Sequence, residues 1–210
     1  MIKKIFSNTF YQLIGKVFTM LVTVVVTVII ARAYGREAFG YFNLMQTWPA
    51  LVYVVIDFGF NAIATREITK DPKKSSAYLS TILVLRFWMS AAAILVISLL
   101  LQFMPYSDEL KSGIRLNLLL ILTQGLYAST TVIFQPNFRY DLAALGSILG
   151  YVYTLVSITV MAYFKFPVAL LSFNYVLGGV LTFILNLFSI KKMGISVGFK
   201  LDKLLAKDLK

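Results

Sequence analysis

Six long runs with almost no charged side chains restrict the fold of this chain more than any other feature. Each run approaches or exceeds the ~20 apolar residues that a transmembrane helix needs. Lipid offers the backbone no hydrogen-bonding partners, so such spans fold as helices packed in a bundle. The runs predict helices at about residues 8–31, 39–65, 78–104, 115–136, 143–164 and 168–190. We therefore expect an all-α integral membrane protein, with a six-helix transmembrane lobe over residues 1–192.

The composition agrees with a membrane protein. Of the 210 residues, 59% are hydrophobic and 14% are charged, whereas soluble domains average ~45–50% and ~25%. The net charge is +11, but the basic residues lie between the apolar runs, which is typical of topology signals rather than nucleic-acid binding. The chain has no Cys and no His, so thiol chemistry is excluded and most zinc sites and the usual general base are removed. We expect no cofactor, no metal and no nucleic-acid partner.

The basic residues also predict the orientation. Cytoplasmic loops carry the excess of Lys and Arg, and one side of the bundle has nine of them against five. They are Lys3, Lys4, Arg66, Lys70, Lys73, Lys74, Arg139, Lys191 and Lys192 on the N-terminal side, and Arg32, Arg36, Lys111, Arg115 and Lys165 on the other. We therefore expect both termini to be cytoplasmic, and the basic loop after the second span to attract anionic membrane lipids.

The tail, residues 193–210, differs from the spans. Five apolar residues alternate with lysines at near-helical spacing: Phe199, Leu201, Leu204, Leu205 and Leu209. This pattern predicts an amphipathic helix on the inner leaflet, and we expect it to connect to a further segment.

Three ionisable residues fall within the predicted spans: Lys16, Asp57 and Arg86. Each lies eight residues, or roughly 12 Å, from the cytoplasmic end of its helix. Such residues usually face a bundle interior or a watery cavity, so we expect a polar cavity at this depth. The alternative is that Lys16 and Arg86 snorkel to the headgroups and Asp57 is a structural counter-ion.

Polar stripes support the cavity, because side chains three or four residues apart share one helix face. They are Gln12, Lys16, Thr19, Thr23 and Thr27 on the first span, Gln46, Tyr53, Asp57 and Asn61 on the second, and Gln124, Tyr127, Thr131 and Gln135 on the fourth. Ordinary interhelical hydrogen bonding explains any one stripe equally well. The spacing of Gly146 and Gly150 predicts a close helix–helix packing face.

The segment from residue 29 to 68 resembles the N-terminal signature of the polysaccharide-biosynthesis flippases, the O-antigen repeat-unit exporters of the MOP (multidrug/oligosaccharidyl-lipid/polysaccharide) superfamily. In that family an Ala-Arg-x-x-Gly step ends the first helix, a Phe-Gly opens the second, and an Asp-x-Gly followed by Arg-Glu closes it. The matching residues are Ala31, Arg32, Gly35, Phe39, Gly40, Asp57, Gly59, Arg66 and Glu67.

The resemblance implies the N-terminal lobe of a MATE-like transporter in a bacterial plasma (inner) membrane. Its substrate would be an undecaprenyl-diphosphate-linked oligosaccharide, moved by alternating access between two helical lobes. A cationic cavity would hold the diphosphate and acidic sugars. The implied binding residues are Lys16, Arg86, Arg32 and Arg66, with Gln124 on the cavity wall. Asp57 would hold a cation in place or take part in ion coupling.

Members of this family have about twelve to fourteen helices, so the six predicted here imply a second six-helix lobe, in a longer chain or in a partner. Three alternatives remain. They are a multidrug exporter of the same superfamily, a small channel or non-transporting subunit, and a membrane enzyme acting on polyprenyl phosphate. The enzyme is disfavoured because the nine acidic residues are scattered and form no DxxD-type pair.

Overall fold

The computed structural model describes residues 2–57, 59–202 and 205, with side chains from residue 6 onward. Within this part the regular structure is helical, which confirms the predicted all-α class. The helices are α1 (Ile2–Asp57), α2 (Phe60–Lys70), α3 (Ser75–Leu100), α4 (Asp108–Asn117), α5 (Leu119–Ser129), α6 (Thr131–Phe134), α7 (Tyr140–Tyr163) and α8 (Val168–Lys192). Short 3₁₀ turns, Pro72–Lys74 and Leu101–Phe103, flank α3.

Five helical stretches of the described chain are long and apolar enough to cross a membrane. The first, Phe6–Asp57, has 52 residues, about 78 Å of helix at 1.5 Å per residue. A bilayer core is only about 30 Å thick. This stretch therefore holds the first two expected spans, and the five stretches account for six crossings.

Gly35 divides α1 into two halves. Its dihedral angles are non-helical, with φ of 81° and ψ of −172°, a conformation that side chains with a Cβ rarely adopt. The Ala-Arg-x-x-Gly step noted in the sequence thus marks a real break in the helix. Residues 2–34 form the first half and residues 36–57 the second.

The second break lies about two helical turns earlier than expected. The predicted span continues to residue 65, but α1 ends at Asp57, and Gly59 has a left-handed φ of 76°. A separate helix, α2, follows it and carries the Arg66–Glu67 pair. The glycine of the Asp-x-Gly motif is therefore the turn residue that separates α1 from α2.

The segment expected as a loop before the fourth span is helical. Ser107 caps α4, since its hydroxyl accepts a hydrogen bond from the Leu110 N–H at 3.3 Å, and two acidic residues occupy the first turn. Both features stabilise a helix N-terminus. Leu118 and Thr130 keep right-handed helical angles, so α4, α5 and α6 continue one another as a single span.

The helices pack as a bundle in which α7 lies between α1 and α8, while α5 lies between α3 and α8. The α7–α8 contact confirms the packing face predicted at Gly146 and Gly150. A Cβ on Gly150 would lie 2.7 Å from the Gly178 carbonyl oxygen, so only glycine permits this approach. Large apolar side chains such as Leu95 and Val54 lie on the outer surface, 63% and 73% exposed, as expected for groups in contact with lipid.

Residues 195–202 of the C-terminal segment do not form the expected amphipathic helix, whereas Leu205 is helical. Gly194 turns the chain with a φ of 79°, and residues 195–202 continue without helix along α3. Ser76 donates to the Ser196 carbonyl at 2.6 Å, and the Gly198 N–H donates to the Ser80 hydroxyl at 3.2 Å. These side-chain hydroxyls of α3 bond to the backbone of this non-helical segment, and periodicity in the sequence does not reveal such partners. Leu204 and Leu209 lie outside the described residues, and Leu205 is buried.

Candidate binding groove

The polar stripe on the first half of α1 lines two open cavities of the bundle. One, the lysine cavity, has a volume of about 230 Å³ and the other, the neutral cavity, about 260 Å³. The stripe residues Gln12, Lys16 and Thr19 line the lysine cavity, and Thr23 and Thr27 line the neutral one. Fifteen residues of helix separate Gln12 from Thr27, so the two cavities together follow about 22 Å of α1. We call them the polar groove.

The stripe predicted on the fourth span forms the facing wall. Tyr127 of α5 lines both cavities, Gln124 lines the neutral one and Thr131 of α6 lines the lysine cavity. Asn61 of α2 holds this wall in place, because its amide donates to the Ala128 carbonyl at 2.9 Å and to the Thr131 hydroxyl at 3.0 Å. The first and fourth stripes therefore meet at one groove.

The rest of the groove comes from α7, α8 and the second half of α1. These helices contribute Phe42, Gln46, Tyr151, Thr154, Tyr175 and Thr182 to the neutral cavity, and Ala143, Ser147 and Asn186 to the lysine cavity. The sequence analysis missed the walls on α7 and α8. Their polar residues also recur at helical steps, as Ser147, Tyr151 and Thr154 do, so the periodicity that revealed the other stripes was available there.

Lys16 is the basic residue that the structure places in the groove. Its side chain lies in the lysine cavity beside Gln12 and Tyr127. Among the described side chains it forms no ion pair. A lysine in a membrane-spanning helix without a protein counter-ion is available to an anionic ligand.

Arg86 occupies a different environment at the same predicted depth. Its side chain is fully buried, and its guanidinium pairs with the Asp57 carboxylate at 2.5 Å. It also donates to the Gly125 carbonyl at 3.2 Å and the Ser129 hydroxyl at 3.1 Å, both on α5. Arg86 lines neither cavity of the groove. The structure therefore separates it from Lys16, although the sequence analysis grouped them.

Asp57 joins three helices at the α1–α2 break. Its carboxylate is 43% exposed, accepts a hydrogen bond from the Tyr53 hydroxyl at 3.3 Å, and pairs with Arg86 of α3. Since Arg86 is also bonded to α5, the pair ties the end of α1 to α3 and α5. This arrangement corresponds to the expected alternative in which Asp57 is a counter-ion.

Arg32 and Arg66 lie outside the groove. Arg32 is exposed near the end of the first half of α1. Arg66 is 70% exposed and pairs with Glu67 at 3.1 Å. Hydrogen bonding from Lys70 holds the pKa of Glu67 below its usual value, so the carboxylate stays ionised beside both cations.

The comparisons with known proteins bear on the family and the fold. The model of the family "polysaccharide biosynthesis protein" matches residues 29–206. A solved MOP superfamily transporter from Pyrococcus furiosus superimposes with a TM-score of 0.74 at 17% identity, over 99% of this chain and 50% of the transporter. The chain thus spans about half the length of that protein. No curated protein matches the chain. The chain therefore belongs to the polysaccharide biosynthesis protein family, and it is a multi-pass membrane protein with the fold of half of a MOP superfamily transporter.

Proposed function

We propose that this chain forms one lobe of a flippase that moves an undecaprenyl-diphosphate-linked oligosaccharide across a bacterial plasma membrane. The transporter fold and the polysaccharide family support a transport role. The observation that carries the proposal is the unpaired Lys16 in a polar groove inside an apolar bundle.

A charge held within a membrane is costly unless it is paired or hydrated. Asp57 neutralises Arg86, whereas no described carboxylate pairs with Lys16. A phosphate group of the substrate would supply the missing counter-charge, and lysine is a common phosphate ligand. Lys16 is therefore our candidate for the diphosphate site, and Arg86 has the supporting role of holding Asp57.

The proposed path requires a second helical lobe. In alternating access two lobes rock about a central site, and the first half of α1 offers a surface to such a partner. Large side chains there, including Phe6, Leu13 and Met20, are 72%, 59% and 68% exposed. Both termini would be cytoplasmic, which places the lysine cavity towards the leaflet where a lipid-linked substrate is made available.

The test uses the full-length protein in a bacterial strain that lacks its flippase. Lys16→Gln keeps the size of the side chain but removes its charge, and Lys191→Gln is the matched control at the exposed end of α8. We expect Lys16→Gln to abolish surface polysaccharide at normal protein abundance, Lys16→Arg to restore part of it, and Lys191→Gln to have no effect. Normal surface polysaccharide with Lys16→Gln would contradict the proposal. Altered drug resistance with no effect on polysaccharide would favour a multidrug exporter instead.

A further inference from the structure

We infer that the polar groove is divided by chemistry, and that its neutral cavity binds uncharged sugar rings next to the phosphate site at Lys16. This inference rests on the proposed function and names the class of sugar that the flippase carries. It differs from the expectation stated from the sequence, in which a cationic cavity also holds acidic sugars.

The described lining of the neutral cavity carries no formal charge. No acidic or basic side chain is among the described residues that line the neutral cavity. The nearest basic group along the α1 stripe is Lys16, which lines the other cavity. The carboxylate of an acidic sugar would leave water here without a cation to offset the loss of hydration, which is strongly unfavourable. A neutral sugar incurs no such penalty.

The walls of the neutral cavity are rich in aromatic side chains. Four aromatic rings line the cavity: Phe42, Tyr127, Tyr151 and Tyr175. Tyr175 contacts Tyr151 edge-to-face, with ring centroids 6.1 Å apart. The centroid of the Phe42 ring lies 6.3 Å from that of Tyr175. These contacts restrict the orientations of three of the four rings, those of Phe42, Tyr151 and Tyr175. Rigid aromatic faces offer flat apolar surfaces to the C–H face of a sugar ring.

The neutral cavity also contains side-chain amides that can form hydrogen bonds with a sugar. Sugar hydroxyls both donate and accept, and side-chain amides do the same. The neutral cavity has three amides, those of Asn43, Gln46 and Gln124. The Gln46 oxygen accepts from Asn117 at 3.4 Å, while its Nε2 is buried without a partner among the described residues. The amide groups that face this cavity can therefore exchange hydrogen bonds with sugar hydroxyls in both directions.

The size of the cavity limits what it holds. Its volume of about 260 Å³ lies just below the ~300–1,000 Å³ of sites for drug-sized ligands. It therefore suits one or two sugar rings rather than a whole repeat unit. Because Tyr127 borders both cavities, these rings would be the ones next to the diphosphate.

The experiment compares two probes on the purified full-length protein in nanodiscs. Both are polyprenyl-diphosphate-linked disaccharides, one with two neutral sugars and the other with a uronic acid in place of the second. We expect the neutral probe to bind at least about tenfold tighter, measured as a ratio of dissociation constants. Gln46→Lys should reduce or reverse this ratio by giving the carboxylate a partner, and Gln124→Lys is a second variant should the first not fold. Gln102→Lys, on the exposed turn after α3, should leave the ratio unchanged.

The outcomes separate the two proposals. Equal binding of the probes, or tighter binding of the acidic one, would overturn the neutral cavity while leaving the flippase proposal intact. An unchanged ratio in folded Gln46→Lys and Gln124→Lys proteins would also overturn it. Failure of both probes to bind would overturn the flippase proposal, and the inference with it. Lys16→Gln should weaken both probes by the same factor, because it acts on the diphosphate that they share.

Discussion

Lys16 and Arg86 are two cations at the same predicted depth that have opposite surroundings. Arg86 is fully buried and is neutralised by Asp57, whereas Lys16 lies in an open cavity without a described ion-pair partner. The region around Arg86 thus resembles the core of a soluble protein, with its charge satisfied internally. The region around Lys16 resembles a binding site. The depth of a charged residue along its helix therefore does not indicate its function. The helix face on which it lies and the distance to the nearest carboxylate do indicate it.

Removal of the Asp57 carboxylate should have the largest effect on stability, and it tests the contrast between Arg86 and Lys16 directly. Asp57→Ala leaves Arg86 buried without a counter-charge, which in proteins costs about 3–5 kcal/mol. We expect a large fall in the thermal unfolding midpoint of the purified protein in detergent. The double variant Asp57→Ala/Arg86→Met should recover most of it, because no unpaired charge remains. A double variant no more stable than Asp57→Ala would show that the pair is not the structural unit we describe.

A smaller effect is expected at the wall of the groove, where α7 and α8 approach closely. Gly150→Ala would place a Cβ 2.7 Å from the Gly178 carbonyl oxygen, and such overpacking costs roughly 1–3 kcal/mol. The same melting measurement should detect it. The control is Gly40→Ala, whose Cβ has no atom within 4 Å and which should be neutral or slightly stabilising. Similar falls in melting temperature for both variants would mean that α7 and α8 pack less closely at Gly150 than the glycine contacts indicate.

One hydrogen bond far from both regions provides a reference for how much a single hydrogen bond contributes to the stability of this chain. The Tyr34 hydroxyl donates to the Phe166 carbonyl at 2.7 Å and ties the α1 break to the α7–α8 loop. Tyr34→Phe should cost about 1 kcal/mol, less than either change above. A loss as large as that of Asp57→Ala would show that the break itself, and not the ion pair, determines stability.

The smallest effect on stability is expected at Lys16. Substitutions of exposed side chains away from packed features usually lie within about ±0.5 kcal/mol, so Lys16→Gln should melt at nearly the wild-type temperature. Its effect should appear in transport alone. A large fall in the melting temperature would mean that Lys16 has a structural partner and would remove the contrast with Arg86.

Much of this architecture was predictable from the sequence, because spans and faces follow from hydrophobic and polar periodicity. The polar periodicity predicts that the stripes containing Lys16 and Gln124 face a shared cavity, and the structure brings them together. The motif glycine Gly35 lies between the first two predicted helices and is a turn residue. Gly59 is also a turn residue, although the predicted second span continued through it.

Other features depend on tertiary contacts that periodicity does not encode. The pairing of Arg86 with Asp57 requires knowing that α3 and α5 enclose the end of α1. The non-helical course of residues 195–202 is accompanied by hydrogen bonds to hydroxyls of α3 such as that of Ser80, more than a hundred positions earlier. Local periodicity does not report such distant partners, so it does not predict the non-helical course of residues 195–202.

The central claim is that the groove around Lys16 is open to water and that the region around Arg86 is closed. This chain has no cysteine, so single cysteines can be introduced without removing any. The most direct measurement is the labelling rate of Lys16→Cys, Gln12→Cys and Ser90→Cys in membranes by a charged thiol reagent, with the outward-facing Leu95→Cys as the lipid control. The account predicts rapid labelling of the first two, and labelling of buried Ser90→Cys and of Leu95→Cys only after denaturation. Labelling of Ser90→Cys as fast as that of Lys16→Cys, or protection of both groove positions, would contradict it.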